Sequence, residues 1–216
     1  MYQALLLDFD GTILDTERHN LVAWQEAAIQ VGISITGEFY QTLIGLTKSD
    51  SDVLFRRHFG EDSPVDHWRG LRRAAFYRLW DEGRGPAWKP GLDTLLAELE
   101  RRSFKRAIAS SSLRFELDHK LERAGLLQHF PVRVSGDDVA AGKPSPDVFL
   151  QAARLLAVEP RHCLVVEDSP LGVQAARRAG MDVVFVPDMV EADENVRQAS
   201  LAVVPSLADV IGLMGG

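Results

Sequence analysis

A single cysteine, Cys163, rules out an intramolecular disulfide. It stands in the apolar run Cys163–Val166, where packing inside a core is its expected role. No apolar run is long enough to span a bilayer. Ala4–Leu7 near the N-terminus is far too short, and no basic segment of the kind that opens a signal peptide precedes it. The expected setting is a reducing cytoplasm, with no membrane attachment. Long runs of like charge are also missing, and the formal charge is −7. That balance argues against non-specific binding to nucleic acid or anionic membranes. It also means that an anionic substrate needs local positive charge. No internal repeat, low-complexity stretch or Gly-x-Gly-x-x-Gly turn occurs, and without that turn a dinucleotide-binding dehydrogenase is excluded.

The 216 residues are 46% apolar and 25% charged, the balance of a globular protein with a full core. Ala4–Leu7 reads as a strand buried on both faces. From Asp15 to Val31 the apolar residues Leu21, Trp24, Ala27, Ala28 and Val31 recur at helical spacing, and Gly32 closes the helix. Residues 37–83 carry further helical patterns and no convincing strand. After Gly83–Pro86 the period alternates. Strands are expected at Arg106–Ala109, Val132–Ser135, Cys163–Val166 and Val183–Val186. Helices are expected from Pro90 to Arg102, Leu113 to Ala124, Pro146 to Ala157, Pro170 to Ala179 and Leu207 to Met214. Such alternation implies right-handed βαβ units and a doubly wound parallel sheet, an α/β fold. The helical block interrupts it just after the first strand. The expected organisation is therefore a core of residues 1–14 and 88–216, with an inserted α-helical cap domain of residues 15–87.

Polar chemistry falls at the strand ends, which share one edge of a parallel sheet. Asp8 and Asp10 flank an apolar residue, and Gly11 permits a tight turn. A divalent cation would relieve their repulsion, and hard carboxylate oxygens suit Mg²⁺; an Asx-type turn is the plainer account. Glu167-Asp168 adds carboxylates on the same edge, where Asp168 or Ser169 could equally cap the helix opening at Pro170. Lys143 lies between Gly142 and Pro144, a point charge suited to a phosphate dianion in a stiffened loop. Ser110-Ser111-Ser112 offers hydroxyl and N–H donors, or a helix cap.

In this order, Asp8-Phe9-Asp10-Gly11-Thr12, Ser110, Gly142-Lys143-Pro144 and Val166-Glu167-Asp168-Ser169 with Gly172 resemble the haloacid dehalogenase-like superfamily of phosphotransferases. Asp15-Thr16-Glu17 and Lys143–Asp147 are similar to its phosphoglycolate-phosphatase and β-phosphoglucomutase branch. The resemblance implies a Rossmann-like core and a Mg²⁺-dependent reaction through an aspartyl-phosphate. In it Asp8 is the nucleophile, and Asp10 is the acid that then activates water. Asp8, the Asp10 main-chain oxygen and Asp168 would hold Mg²⁺, with Glu167 a ligand or a partner through water. Ser110, Ser111 and Lys143 would bind the phosphoryl oxygens. Asp10 argues against dehalogenation, because haloalkanoic-acid dehalogenases lack the second aspartate.

The nearest rival is a sugar phosphomutase. β-Phosphoglucomutases carry a histidine where this chain has Asn20, an arginine where it has Lys48, and lysine where it has Leu113. His19 is one place early, a rotation of about 100° on a helix. These departures favour hydrolysis of a small phosphorylated metabolite, with His19, Asn20 and Lys48 as candidate substrate contacts in the cap. An inactive regulator of the same fold should have lost Asp8, Asp10, Lys143 or Asp168, and all four are present. The pairs Arg56-Arg57, Arg72-Arg73 and Arg101-Arg102 read as solvated helix faces. The absence of a long apolar surface stripe points to a monomer.

Overall fold

The computed structural model describes residues 1–215. The elements run β1 (Ala4–Leu7), α1 (Thr16–Gln30), α2 (Gly37–Gln41), α3 (Lys48–Phe59), α4 (Val65–Leu79), α5 (Leu92–Arg101), β2 (Lys105–Ala109) and α6 (Arg114–Arg123). They continue with β3 (Val132–Val134), α7 (Asp147–Leu156), β4 (Cys163–Glu167), α8 (Pro170–Arg178), β5 (Asp182–Phe185), α9 (Glu194–Ala199) and β6 (Ala202–Val203). The six strands form one sheet in the order β3-β2-β1-β4-β5-β6, and every pairing is parallel.

Helices cover both faces of the sheet, so the strands are apolar throughout rather than alternating. Ala4 and Leu6 of β1 pack with residues of α7 and α8 on one face, and Leu5 and Leu7 with residues of α5 and α6 on the other. Cys163 is fully buried in the first of these layers. Among the described residues no helix is long and apolar enough to cross a membrane.

The helices α1 to α4 bury a separate aromatic cluster built on Trp24, Tyr40, Phe55 and Trp68. The chain leaves the sheet layer at Leu14 and returns at Trp88, where the two passages pair antiparallel. Asp15 N donates to Ala87 O at 2.9 Å and Lys89 N to Ile13 O at 2.9 Å, so the joint is a short two-stranded ribbon.

Two departures from expectation concern the C-terminal segment. Leu207–Leu213 is a 3₁₀-helix, not an α-helix. Leu207 and Val210 are buried and Leu213 is partly so, a spacing of three that matches the 3₁₀ period. The short α9 and the two-residue edge strand β6 were not anticipated. Both are too brief to carry periodicity, and Asp193, which accepts from Val196 N at 2.8 Å, was the one cap signal.

Candidate active site

The strand order reverses its direction of growth between β1 and β4, and ligands of open α/β sheets bind outside the carboxyl ends at such a point. Asp8 N donates to Val166 O at 3.0 Å, which ties the start of the loop after β1 to strand β4. Gly11 has φ +85, and a methyl there would also run into the Asp168 carboxylate. Glycine is therefore required at Gly11 both for the turn and for the approach of Asp168. Thr12 Oγ1 donates to Asp168 Oδ1 at 3.0 Å.

Lys143 is 2% exposed and donates to both Asp8 and Glu167. The other oxygen of Glu167 accepts from Asp168 N at 2.9 Å, Ser169 N at 2.8 Å and Ser169 Oγ at 2.9 Å. Both Glu167 oxygens are thus engaged within the protein. Ser169 caps α8 by accepting from Gly172 N at 3.0 Å. A methyl at Gly172 would overlap the Glu167 carboxylate. Gly172→Ala is expected to cost about 1–3 kcal/mol and to disturb the whole loop, and a urea unfolding midpoint measured beside activity checks both. An unchanged midpoint would show that the loop yields freely.

Asp10 follows a different course. Its carboxylate accepts from Lys120 Nζ at 2.7 Å and from Ser112 Oγ at 2.6 Å. Burial pushes its pKa up, but the Lys120 charge and these hydrogen bonds outweigh burial and hold it below the usual range. Burial is the main cause that pushes Asp8 up to about 8, with Glu167 adding repulsion against the pull of Lys143. Asp168 is raised well above the usual range by burial and then by Glu167 and Asp8. Burial works against the Lys143 charge, yet Asp8 and Glu167 prevail and raise its pKa. Lys143 is therefore an ammonium at neutral pH.

A cavity of about 340 Å³ opens above these groups, a size suited to a small metabolite. Asp8, Asp10, Ser110, Ser111 and Asp168 line its floor, and Asn20 and Lys48 line the side formed by the helices α1 to α4. Lys143 and Glu167 lie behind Asp8, off the cavity. His19 does not line the cavity. Its ring nitrogen bonds Phe76 O at 2.9 Å, and its ring meets that of Phe76 edge-on at 4.4 Å. The offset of one residue from Asn20 turns it toward α4, which removes it from the candidate contacts. Arg72 corrects a second expectation: its side chain is 11% exposed and lines the cavity, so it is no solvated surface group.

Several residues of the site went unnoticed in the sequence. Lys120 is 3% exposed and stands on the buried stripe of α6, between Leu117 and Leu121. A lysine at a stripe position was the available signal. Arg72 stands likewise four residues after Trp68 and four before Phe76. Glu17 and Tyr40 bond each other beside the cavity, and Asp52 pairs with Arg69 at 2.7 Å. The Asp188 carboxylate, buried after β5, accepts from Lys89 of the ribbon at 2.6 Å and from Arg18 in the first turn of α1.

A hard divalent cation suits these donors. Asp8 and Glu167 share one ammonium, Asp168 lies beside them without a cation of its own, and burial with mutual repulsion pushes Asp8 and Asp168 toward protonation. Asp188 Oδ2 is buried with no hydrogen-bond partner and lies toward Gly11, beside Asp168. Among the described residues no three His, Cys, Asp or Glu side chains form a ready-made ligand shell.

The haloacid dehalogenase-like hydrolase family profile matches residues 5–186. A β-phosphoglucomutase of Bacillus subtilis is 31% identical over 92% of this chain and 90% of its own. The fructose-1-phosphate phosphatase YqaB of Escherichia coli is 32% identical over 86% of this chain and 96% of its own. Among solved structures, CbbY of Rhodobacter sphaeroides in complex with phosphate superposes with a TM-score of 0.83 at 27% identity, covering 97% of this chain and 96% of that one.

Proposed function

The chain belongs to the haloacid dehalogenase-like hydrolase family and is similar to phosphatases of that family, and we propose that it hydrolyses a small phosphorylated metabolite. The reaction is Mg²⁺-dependent and passes through an aspartyl-phosphate on Asp8. The observation that carries this reading is the convergence of Asp8, Asp10, Ser110 and Asp168 on the floor of one small cavity, with Lys143 behind Asp8.

Asp8 Oδ attacks phosphorus as the bond to the ester oxygen breaks, and Asp10 gives that oxygen its proton. Asp10 then takes a proton from the water that attacks the acyl phosphate, returning Asp8 as carboxylate and releasing phosphate. Ser110 and Ser111 bind and orient the phosphoryl oxygens from the cavity floor, and the Lys143 ammonium behind Asp8 supplies opposing charge, the main requirements of a loose phosphoryl transfer. Asp8, the Asp10 main-chain oxygen and Asp168 would hold the metal, and Glu167 braces Lys143, to which it is hydrogen-bonded. Bound Mg²⁺ supplies charge neutralisation to the nucleophile and the phosphoryl group. Residues 15–87 act as a cap that excludes water while the intermediate forms.

Mg²⁺-dependent phosphate release from a panel of metabolite esters is the test, and its absence from every ester would remove the reading. A second readout needs no turnover. Mg²⁺ at a hundred times its Kd should stabilise the fold by about 2.7 kcal/mol, seen as a rise in melting temperature. The rise should be larger at pH 8 than at pH 6, because protons on Asp8 compete with the metal. No shift at either pH would dismiss the metal.

The likeness to β-phosphoglucomutase keeps a mutase as the rival. Lys48, the cationic candidate for holding a distal phosphate, is paired to Asp52 at 3.0 Å and Asp66 at 2.8 Å, which favours hydrolysis. β-Glucose 1-phosphate with a trace of the 1,6-bisphosphate separates the two: a mutase would yield the 6-phosphate with little free phosphate.

A further inference from the structure

The cavity lining carries a carboxylate that the proposed reaction does not use. Glu17, in the first turn of α1, is 8% exposed and lines the cavity. One of its oxygens accepts from the Tyr40 hydroxyl, and Tyr40 is itself 4% exposed and packed in the aromatic cluster of the helical segment. Among the described residues the other oxygen has no hydrogen-bond partner, and no cation forms an ion pair with Glu17. A buried carboxylate without a cation is costly unless donors reach it. Here one acceptor position is left open on a side chain that lines the same cavity as Asp8 and Asp10.

Two cations on the same wall, Lys48 and Arg69, are already matched by carboxylates. Lys48 pairs with Asp52 and Asp66, and Arg69 pairs with Asp52 through two nitrogens at 2.9 and 2.7 Å. Arg72 donates to Asn20 Oδ1 at 3.1 Å and faces Glu116 at 3.6 Å, while its Nε is buried without a hydrogen-bond partner. Arg73 is exposed and lies over the Phe115 ring at 5.5 Å, at the rim. A second phosphate or a carboxylate entering beside Glu17 would meet like charge, and Lys48 and Arg69 are already paired to carboxylates. A hydroxyl entering there would donate to a carboxylate in a site shielded from water, a charge-assisted bond.

We propose that Glu17, held by Tyr40, is a specificity-determining residue that accepts a hydrogen bond from a hydroxyl on the substrate's carbon skeleton. The site therefore takes sugar or polyol monophosphates in preference to carboxylate-bearing phosphate esters and to bisphosphates. This assignment rests on the phosphatase reading above.

The test compares kcat/KM with Mg²⁺ for fructose 1-phosphate, glucose 6-phosphate, glycerol 1-phosphate, phosphoglycolate, fructose 1,6-bisphosphate and p-nitrophenyl phosphate. The best hydroxylated monophosphate should exceed phosphoglycolate and the bisphosphate by about 100-fold or more. Glu17→Ala should shrink that ratio at least about tenfold, chiefly through KM for the hydroxylated ester. Tyr40→Phe, which keeps the ring in its cluster, should move it the same way and stands in if Glu17→Ala fails to fold. Phosphoglycolate turned over as well as the monophosphates, or a ratio untouched in either folded variant, would overturn the assignment. Turnover of p-nitrophenyl phosphate without discrimination among the metabolites overturns it alone. Mg²⁺-dependent release from none of the six overturns the phosphatase reading with it.

Discussion

An Asp8→Asn variant is expected to lose phosphate release by about 10⁴-fold or more and, in the metal-free state, to melt at a higher temperature than the parent. The two effects share one cause. Burial lifts the Asp8 pKa to about 8, far above its value in an unfolded chain. A folded-state pKa raised in this way gives stability that is complete below the unfolded pKa and is lost as pH rises through the folded one. At pH 8 the fold therefore carries the cost of a buried charge beside Glu167 and Asp168, and asparagine removes it. At pH 4 the difference should nearly vanish. The pair of measurements is a phosphate-release assay and melting curves at both pH values. A variant that retains a tenth of the parent's rate would remove Asp8 as nucleophile. A variant that melts lower at pH 8 would show that the ion pair with Lys143 outweighs the repulsion.

The sheet was legible because its strands are buried on both faces and so read as unbroken apolar runs, such as Leu5–Leu7 and Leu164–Val166. Polar residues that interrupt such runs stand out, and in a parallel sheet they must fall on one edge. That is why Asp8, Ser110, Glu167 and Asp168 could be grouped before any distance was known. Lys143 is different, since it arrives from a loop between β3 and α7, and only its proline-flanked setting marked it.

What escaped was set by helix rotation and long-range pairing. Lys120 and Arg72 belong to arginine- and lysine-rich helices, where a basic residue looks like one more solvated charge. Their stripe positions mattered more than their type, and a partner such as Asp10, 110 residues away, leaves no local pattern. Tyr40 and Glu17 are 23 residues apart on different helices. His19 shows the converse: a residue type suited to the site, placed one position away from where α1 faces the cavity.

Asp10→Asn should also lower steady-state turnover strongly, by about 10² to 10⁴-fold, but its signature differs from that of Asp8→Asn. In this structure Lys120 and Ser112 keep Asp10 ionised, the form that accepts a proton from water in the second step. To protonate a leaving oxygen in the first step, Asp10 must gain a proton against the Lys120 charge. An ester whose leaving group needs no proton, p-nitrophenyl phosphate, escapes that requirement. With it the variant should form the aspartyl-phosphate readily and then stall, giving a burst of one p-nitrophenolate per enzyme and a trapped acyl phosphate. With an alkyl ester both steps should slow, and no burst should appear. Stability should move opposite to that of Asp8→Asn, because asparagine leaves the buried ammonium of Lys120 without its counter-charge. Removing one partner of such a pair costs about 3 kcal/mol at the low end, the appropriate end for a carboxylate that opens onto the cavity. Stopped-flow bursts with the two esters and a denaturant midpoint would separate the roles. Unchanged steady-state turnover would sink the acid and base assignment, and an unchanged midpoint would mean that Lys120 finds another partner when Asp10 is gone.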